Sequence, residues 1–336
     1  MELYLDSANP SEISAAFQLG IFHGLTTTPT FLKRQGITNV DHWLLETAKQ
    51  VPIIQIEALG NSAQEIVNEA NRLLSLGLNR ETTVFKIPVS LHGLEACARL
   101  TKDGIMTNVH LIYTPQQAYM AMNSGATYVC PLVGRLQDQG MDALALVDAI
   151  VAFKDRHSYY SKVMFSSVRH SEHVRNAMDL GVDAVTVPWS VVQLLPNNHL
   201  TSLGSAQFDE DHRRMTVRVD QVLRPNQPIV SPDSPLREAL VAMTLSGLGA
   251  VVLAENHRAV GLFTDGDLRR IMEHTGSLDT NSSIRSMHAL RPPFAISGSA
   301  LLQEAFSRFT ETKVDQLLVE DDNGNALGLI DIQDLN

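Results

Sequence analysis

Eight short apolar, β-branched runs alternate with stretches of helical periodicity across about the first 200 residues, and few folds accept that pattern. The runs lie at residues 3–6, 24–27, 53–58, 84–89, 107–112, 128–133, 163–166 and 184–187. Between them, residues 62–76 carry an apolar face of Ile66, Ala70, Leu73 and Leu74 that stops at Gly77, and residues 172–180 carry Val174, Ala177 and Met178. Residues 191–195 and a polar helical segment, 207–215, follow the last run. Eightfold alternation over this length predicts a (β/α)8 barrel, with a doubly wound open sheet as the rival. The chain has no glycine-rich dinucleotide loop, which favours the barrel.

Such a barrel collects its chemistry at the carboxyl ends of its strands. The most demanding residue there is Lys86, inside Thr83-Val84-Phe85-Lys86-Ile87-Pro88-Val89. Burial disfavours the charged form of a lysine, by up to about 3–5 pKa units, and leaves an amine able to attack a carbonyl. Taken alone, Lys86 fits better a strand-end lysine whose stem packs on apolar surface while its head reaches water. Its neighbours at the mouth decide otherwise. Asp6 follows the first run, Thr28 the second, Arg135 the sixth, and Ser167 and Arg169 the seventh; Glu57 lies in the third, Asn108 and His110 in the fifth. Singly, Asp6 suits a turn, Thr28 a helix cap and Arg169 a solvated loop. Together, an amine, two acids and two arginines suit a carbonyl substrate bearing a phosphate, whose oxygens arginine binds in pairs.

At 336 residues and 44% hydrophobic content the chain suits a large domain and a smaller one. Its net charge of −11 argues against nucleic acid or an anionic membrane as the main partner. Met1 runs almost directly into Leu3-Tyr4-Leu5 with no charged or apolar leader pattern, so the cytoplasm is the expected compartment. Cys97 and Cys130 are the two cysteines and indicate neither a disulfide framework nor a metal motif; no metal or cofactor is expected, and Cys97 reads as a core residue.

Six ordered motifs stand out: Leu3-Tyr4-Leu5-Asp6-Ser7-Ala8, Gly24-Leu25-Thr26-Thr27-Thr28-Pro29-Thr30, Phe85-Lys86-Ile87-Pro88-Val89, Thr107-Asn108-Val109-His110-Leu111-Ile112-Tyr113, the segment from Gly125 to Arg135, and Ser166-Ser167-Val168-Arg169. Together they resemble the transaldolases, especially the short fructose-6-phosphate aldolase-like subgroup, over residues 1–217. The resemblance implies a Schiff-base lysine at Lys86, a proton-handling aspartate at Asp6, and Glu57 as an acid/base acting through a bound water. It further implies that Arg135, Ser167 and Arg169 hold the acceptor phosphate. Three positions depart from the pattern: Thr28 replaces an asparagine that grips the donor, His110 a threonine that helps hold the water, and Leu132 an aromatic residue. Altered donor specificity with retained imine chemistry is the expectation, and His110 reads either as a water-positioning or basic group or as a hydrogen-bonded wall residue.

Prolines cluster between residues 217 and 235, marking a junction. Beyond it, Leu236-Arg237-Glu238-Ala239-Leu240 through Gly261-Leu262-Phe263-Thr264-Asp265-Gly266-Asp267-Leu268 recurs as Leu302-Gln303-Glu304-Ala305-Phe306 through Gly328-Leu329-Ile330-Asp331-Ile332-Gln333-Asp334-Leu335, with glycines 328 − 261 = 67 apart. A repeat of helix, strand, turn, strand and helix start must pack on its copy to bury its sheet face. The pattern resembles a tandem cystathionine-β-synthase-type (CBS) pair over residues 222–336, with repeats at about 222–280 and 283–336. Ser246-Gly247-Leu248-Gly249 and Phe263-Thr264-Asp265-Gly266-Asp267-Leu268-Arg269-Arg270 are similar to the pair of arabinose-5-phosphate isomerases. That resemblance makes Thr264, Asp267 and Asp334 the regulatory-ligand residues, while Asp331, in place of a serine or threonine, repels phosphate in the second copy. A nucleotide, a sugar nucleotide or sugar-acid end product, and a purely dimerising module all remain open.

The combined expectation is a phosphosugar aldolase or transaldolase fused to a regulatory CBS pair, assembled as a homo-oligomer because both resemblances imply association. Glycolaldehyde as donor and glyceraldehyde 3-phosphate as acceptor would give arabinose 5-phosphate. The competing expectation is a non-catalytic phosphosugar or nucleotide sensor built on a degenerate barrel.

Overall fold

The computed structural model describes residues 1–335, which form two compact units, Met1–Asn197 and a second beginning at Asn198. In the first, β1 (Glu2–Asp6), β2 (Gly24–Thr26), β3 (Ile54–Glu57), β4 (Thr83–Pro88), β5 (Met106–Ile112), β6 (Tyr128–Pro131), β7 (Lys162–Phe165) and β8 (Ala184–Val187) pair in sequence order. All pairs are parallel, and β1 pairs with β8 to close the barrel, which rules out the open sheet.

Side chains alternate between the two faces of each strand, and this period of two places the chemistry. The outward set, including Leu5, Leu25, Ile56, Phe85, Ile87, Val109, Val129, Phe165 and Val185, is buried under the helices. The inward set begins with a packed floor of Tyr4, Val84, Tyr128, Met164 and Ala184. Asp6, Lys86, Cys130, Ser166 and Thr186 each follow a floor residue by two positions, one pleat nearer the carboxyl-terminal mouth. The floor is sealed by polar contacts: the Tyr4 and Tyr128 hydroxyls lie 2.8 Å apart, Tyr128 Oη donates to Glu2 Oε2 at 3.0 Å, and Lys162 pairs with Glu2. Burial raises both phenols, Tyr4 to about 12, so they stay protonated donors.

Helix starts follow local capping chemistry. Ser62 caps Ala63–Ser75, Ser90 caps Leu91–Lys102, and Thr114 with Gln117 forms a capping box on Pro115–Asn123. Cys97 is fully buried, as the sequence predicts.

In the second unit, the helix His199–Thr216 packs against Leu302–Thr312, with the Arg214 guanidinium 4.5 Å from the Phe306 ring centroid. Two three-stranded sheets follow. One joins β9 (Ile229–Val230), β10 (Ala250–Glu255) and β11 (Arg258–Thr264); the other joins β12 (Ala295–Ser297), β13 (Gln316–Glu320) and β14 (Ala326–Asp331). In each sheet the short leading strand pairs in parallel and the hairpin is antiparallel. The repeats share a core of Leu248, Ala250 and Val252 with Leu318 and Leu329, so the sheets bury one another as the duplication requires. Gly328, at φ +152, is forced by a close approach: an added Cβ would lie 2.0 Å from Gln227 Oε1, the atom that accepts the Leu329 N–H at 2.8 Å. No helix among the described residues is long and apolar enough to cross a membrane.

Candidate active site

A cavity of about 660 Å3 opens at the carboxyl-terminal mouth of the barrel. Asp6, Thr28, Glu57, Lys86, Asn108, His110, Leu132, Arg135, Ser167 and Arg169, the ten barrel residues singled out from sequence, all line it.

At its centre, the Lys86 side chain is 7% exposed and its Nζ is held at two points. Glu57 Oε1 lies at 3.0 Å, and the Thr27 carbonyl accepts from Nζ at 2.9 Å. Glu57, also 7% exposed, turns its other oxygen to His110 Nε2 at 2.9 Å. Burial opposes the Glu57 charge, but Lys86 and His110 outweigh it and hold the carboxyl below its ordinary value. Burial lowers His110, supported by Lys86 and Arg135, against the pull of Glu57. Asp6 is raised by burial, an effect only partly offset by Lys86 and by the Thr26 hydroxyl, which donates to Asp6 Oδ1 at 2.8 Å. The two carboxyls are therefore pushed apart, Glu57 toward the charged form and Asp6 toward the protonated one.

Asn108 is fully buried and donates to Gln55 Oε1 at 2.7 Å, while its Oδ1 has no partner among the described residues. Thr28 is the N-cap of Pro29–Arg34, its Oγ1 accepting the Phe31 N–H at 3.4 Å, so the capping role and a cavity-lining position coincide. At the rim, Arg135 is exposed, with Nη1 3.5 Å from Tyr113 Oη, and Arg169 pairs with Asp138 at 2.8 Å. Ser167 has φ +61, and Gly134 packs so closely that a Cβ would lie 2.1 Å from the Ser167 carbonyl oxygen. Leu111, which also lines the cavity, has φ +58. Strained non-glycine backbone of this kind collects at functional sites.

Sequence reasoning passed over Gln55, Leu111, Thr186 and Cys130, which border or support the site. Gln55 and Thr186 carried a signal, since each is an inward polar residue in an apolar strand. Burial pushes the Cys130 thiol up to about 11, leaving it protonated.

In the second unit, Thr264 and Asp267 adjoin and Asp334 joins neither. Thr264 caps Asp265–Thr275, and Asp267 Oδ2 accepts from the Thr264 N–H at 2.9 Å and hydroxyl at 2.7 Å. Burial works against the Asp267 charge, but Thr264 and Arg270 hold its carboxyl below the usual range. Asp334 Oδ1 instead accepts from Arg224 Nε at 3.0 Å and Nη2 at 2.8 Å, and Oδ2 accepts the Asp331 N–H at 3.0 Å.

Comparison with known proteins agrees with this geometry. The family model for transaldolase/fructose-6-phosphate aldolase matches residues 3–227, and that for the CBS domain matches 219–274 and 284–336. A probable transaldolase of Maridesulfovibrio salexigens is 37% identical over 220 residues, 64% of this chain and 100% of that protein. One of Geobacter sulfurreducens is 38% identical over 212 residues, 63% of this chain and 97% of that protein. Among solved structures, a CBS domain protein from Pyrobaculum aerophilum complexed with AMP is 17% identical, covering 35% of this chain and 89% of that one at a TM-score of 0.31. The chain thus belongs to the transaldolase/fructose-6-phosphate aldolase family, as an enzyme whose (β/α)8 barrel is followed by a tandem CBS pair.

Proposed function

We propose that this enzyme is a Schiff-base aldolase or transaldolase acting on phosphosugars with a glyceraldehyde 3-phosphate-type acceptor, under control of a ligand at its CBS pair. The observation that carries the reading is a buried amine 3.0 Å from a carboxylate, in a cavity that also holds a second carboxyl and two arginines. Lys86 forms the imine with the substrate carbonyl. Asp6 takes the proton of the sugar hydroxyl as the carbon–carbon bond breaks, and the bonding electrons pass into the protonated imine. A carboxyl raised by burial suits that exchange, because it takes up and returns a proton closer to neutral pH. Asn108 Oδ1, buried and unpartnered, accepts from a substrate hydroxyl. Arg135, Ser167 and Arg169 receive the phosphate, Arg169 exchanging Asp138 for it.

The donor end differs from the pattern this chain resembles. Thr28 engages its hydroxyl in the helix cap, and Leu132 presents an apolar wall, which favours a small donor such as glycolaldehyde and hence arabinose 5-phosphate as product. In the CBS pair, Thr264 and Asp267 serve a nucleotide or sugar-nucleotide effector, while Asp334 is committed to Arg224. The enzyme acts as a cytoplasmic homo-oligomer.

Borohydride trapping followed by peptide mass spectrometry tests the reading, with dihydroxyacetone, glycolaldehyde, fructose 6-phosphate and arabinose 5-phosphate offered separately. An adduct on Lys86 is expected, and its mass identifies the carbon fragment carried. Phosphosugar binding without any adduct, unchanged in Lys86→Ala, would overturn it.

A further inference from the structure

Alternation along β5 sends His110 into the barrel with Asn108 and would send Leu111 away from it. Pairing with β6 slips between His110 and Ile112 where Leu111 adopts φ +58, and both His110 and Leu111 border the cavity. Irregularities of this kind re-aim side chains beside active sites. The imidazole, inward from β5, lies 2.9 Å from Glu57 Oε2, while Glu57 Oε1 lies 3.0 Å from Lys86 Nζ. One carboxylate spans the imidazole and the amine, where the resembled pattern has a threonine and a water.

The hydrogen bond also sets the tautomer. An ionised Glu57 can only accept, so His110 Nε2 carries the hydrogen and Nδ1 keeps its lone pair. Nδ1 has no hydrogen-bond partner among the described residues, and the ring borders the cavity. We propose that His110 is a catalytic proton carrier for imine formation at Lys86, exchanging protons with the substrate through Nδ1 while Glu57 stabilises the imidazolium.

This inference rests on the imine reading. Lys86 first releases its ammonium proton to solvent; its lone pair then forms the C–N bond and the carbonyl π pair moves to oxygen. Nδ1 takes one proton from the new ammonium and returns it to that oxygen, giving the neutral carbinolamine. Protonated once from solvent, the imidazolium gives its proton to the hydroxyl, which leaves as water while the nitrogen lone pair closes the C=N bond. Counting the proton first released, the net change is carbonyl plus ammonium to protonated imine plus water. The groups facing His110 are Glu57 from β3, Lys86 from β4, Cys130 from β6 and Arg135 beyond β6, with Asp6 bordering the same cavity. Because burial, Lys86 and Arg135 together outweigh Glu57 and lower the imidazole, its basic form persists below the ordinary histidine value. The rate of imine formation accordingly falls on an acidic limb displaced below that value.

The test is the rate of Lys86 trapping by borohydride in the full chain, with dihydroxyacetone as the carbonyl probe, across pH. His110→Gln keeps a donor for Glu57 but cannot carry protons. It and His110→Ala are expected to trap about 10²–10⁴-fold more slowly and to lose the acidic limb. Imidazole added to solution is expected to restore much of the His110→Ala rate, which a packing role does not allow. Wild-type rate and pH profile in His110→Gln would overturn the inference while leaving the imine reading standing. No Lys86 adduct in the wild type overturns that reading and the inference with it.

Discussion

Replacing Lys86 with methionine tests whether the site is electrostatically organised around the amine. Methionine matches the unbranched apolar stem of lysine as far as Cε but leaves Glu57, whose side chain is 7% exposed, without its main counter-charge. Removing one partner of a buried ion pair costs about 3–5 kcal/mol. For a unit the size of the barrel, that lowers the melting temperature by roughly 6–20 °C. Trp43 and Trp189 are the two tryptophans and both lie in Met1–Asn197, so tryptophan fluorescence during thermal or urea unfolding reports on the barrel alone. The pH dependence follows from the sign of the Glu57 shift. In the wild type its carboxyl is lowered, so it contributes stability that is present above the unfolded carboxylate value, about 4.3, and is lost as pH falls through the folded value. Without Lys86 the burial contribution dominates and the same carboxyl becomes a penalty that disappears on protonation. The stability gap between variant and wild type is expected to be widest near pH 8 and to close toward pH 4. Adding Glu57→Gln should recover part of the loss, with a coupling energy of about 0.5–3 kcal/mol. A gap independent of pH, with strictly additive single variants, would refute the reasoning.

Asp6→Asn is expected to lower carbon–carbon cleavage about 10²–10⁴-fold while the Lys86 adduct still forms, as read by product assay beside borohydride trapping. Gly134→Ala places a Cβ 2.1 Å from the Ser167 carbonyl oxygen, so the rim must shift; the expected result is weaker use of phosphorylated relative to unphosphorylated acceptors, measured as the ratio of their kcat/KM values. Asp138→Asn releases Arg169 from its ion pair, and tighter binding of inorganic phosphate by titration calorimetry is the expected outcome. Arg224→Ala leaves Asp334 without its guanidinium partner and should lower CBS-pair stability by about 1–3 kcal/mol with the tryptophan-detected transition unchanged, read by hydrogen exchange in the second unit.

The barrel was legible because its strands are short, apolar and regularly spaced: β8 matches the residues expected from sequence, and the other seven differ by one or two residues at one or both ends. β9 and β12 escaped notice because strands of two and three residues in proline-rich segments carry too little periodicity to register. The ten barrel residues meet in one cavity because each is an inward strand residue or lies within four residues beyond a strand's carboxyl end, a property of position that sequence exposes. Their partnerships were less visible. That Glu57 bonds both Lys86 and His110 depends on how β3, β4 and β5 fall in register, and no residue type announces the left-handed leucine that follows His110. Arg224 and Asp334 lie 110 residues apart, and a guanidinium in a linker gives no sign of which carboxylate it will find.

The shared core of the CBS repeats has a consequence for how the chain is made. Leu248, Ala250 and Val252 complete their packing only with Leu318 and Leu329, which emerge from the ribosome 318 − 252 = 66 to 329 − 248 = 81 residues later. At about 5–20 residues per second, the first repeat spends roughly 3–16 s with that sheet face uncovered. A ribosome stalled between the repeats would display a nascent chain with bare aliphatic surface, a substrate for chaperones until the second copy arrives.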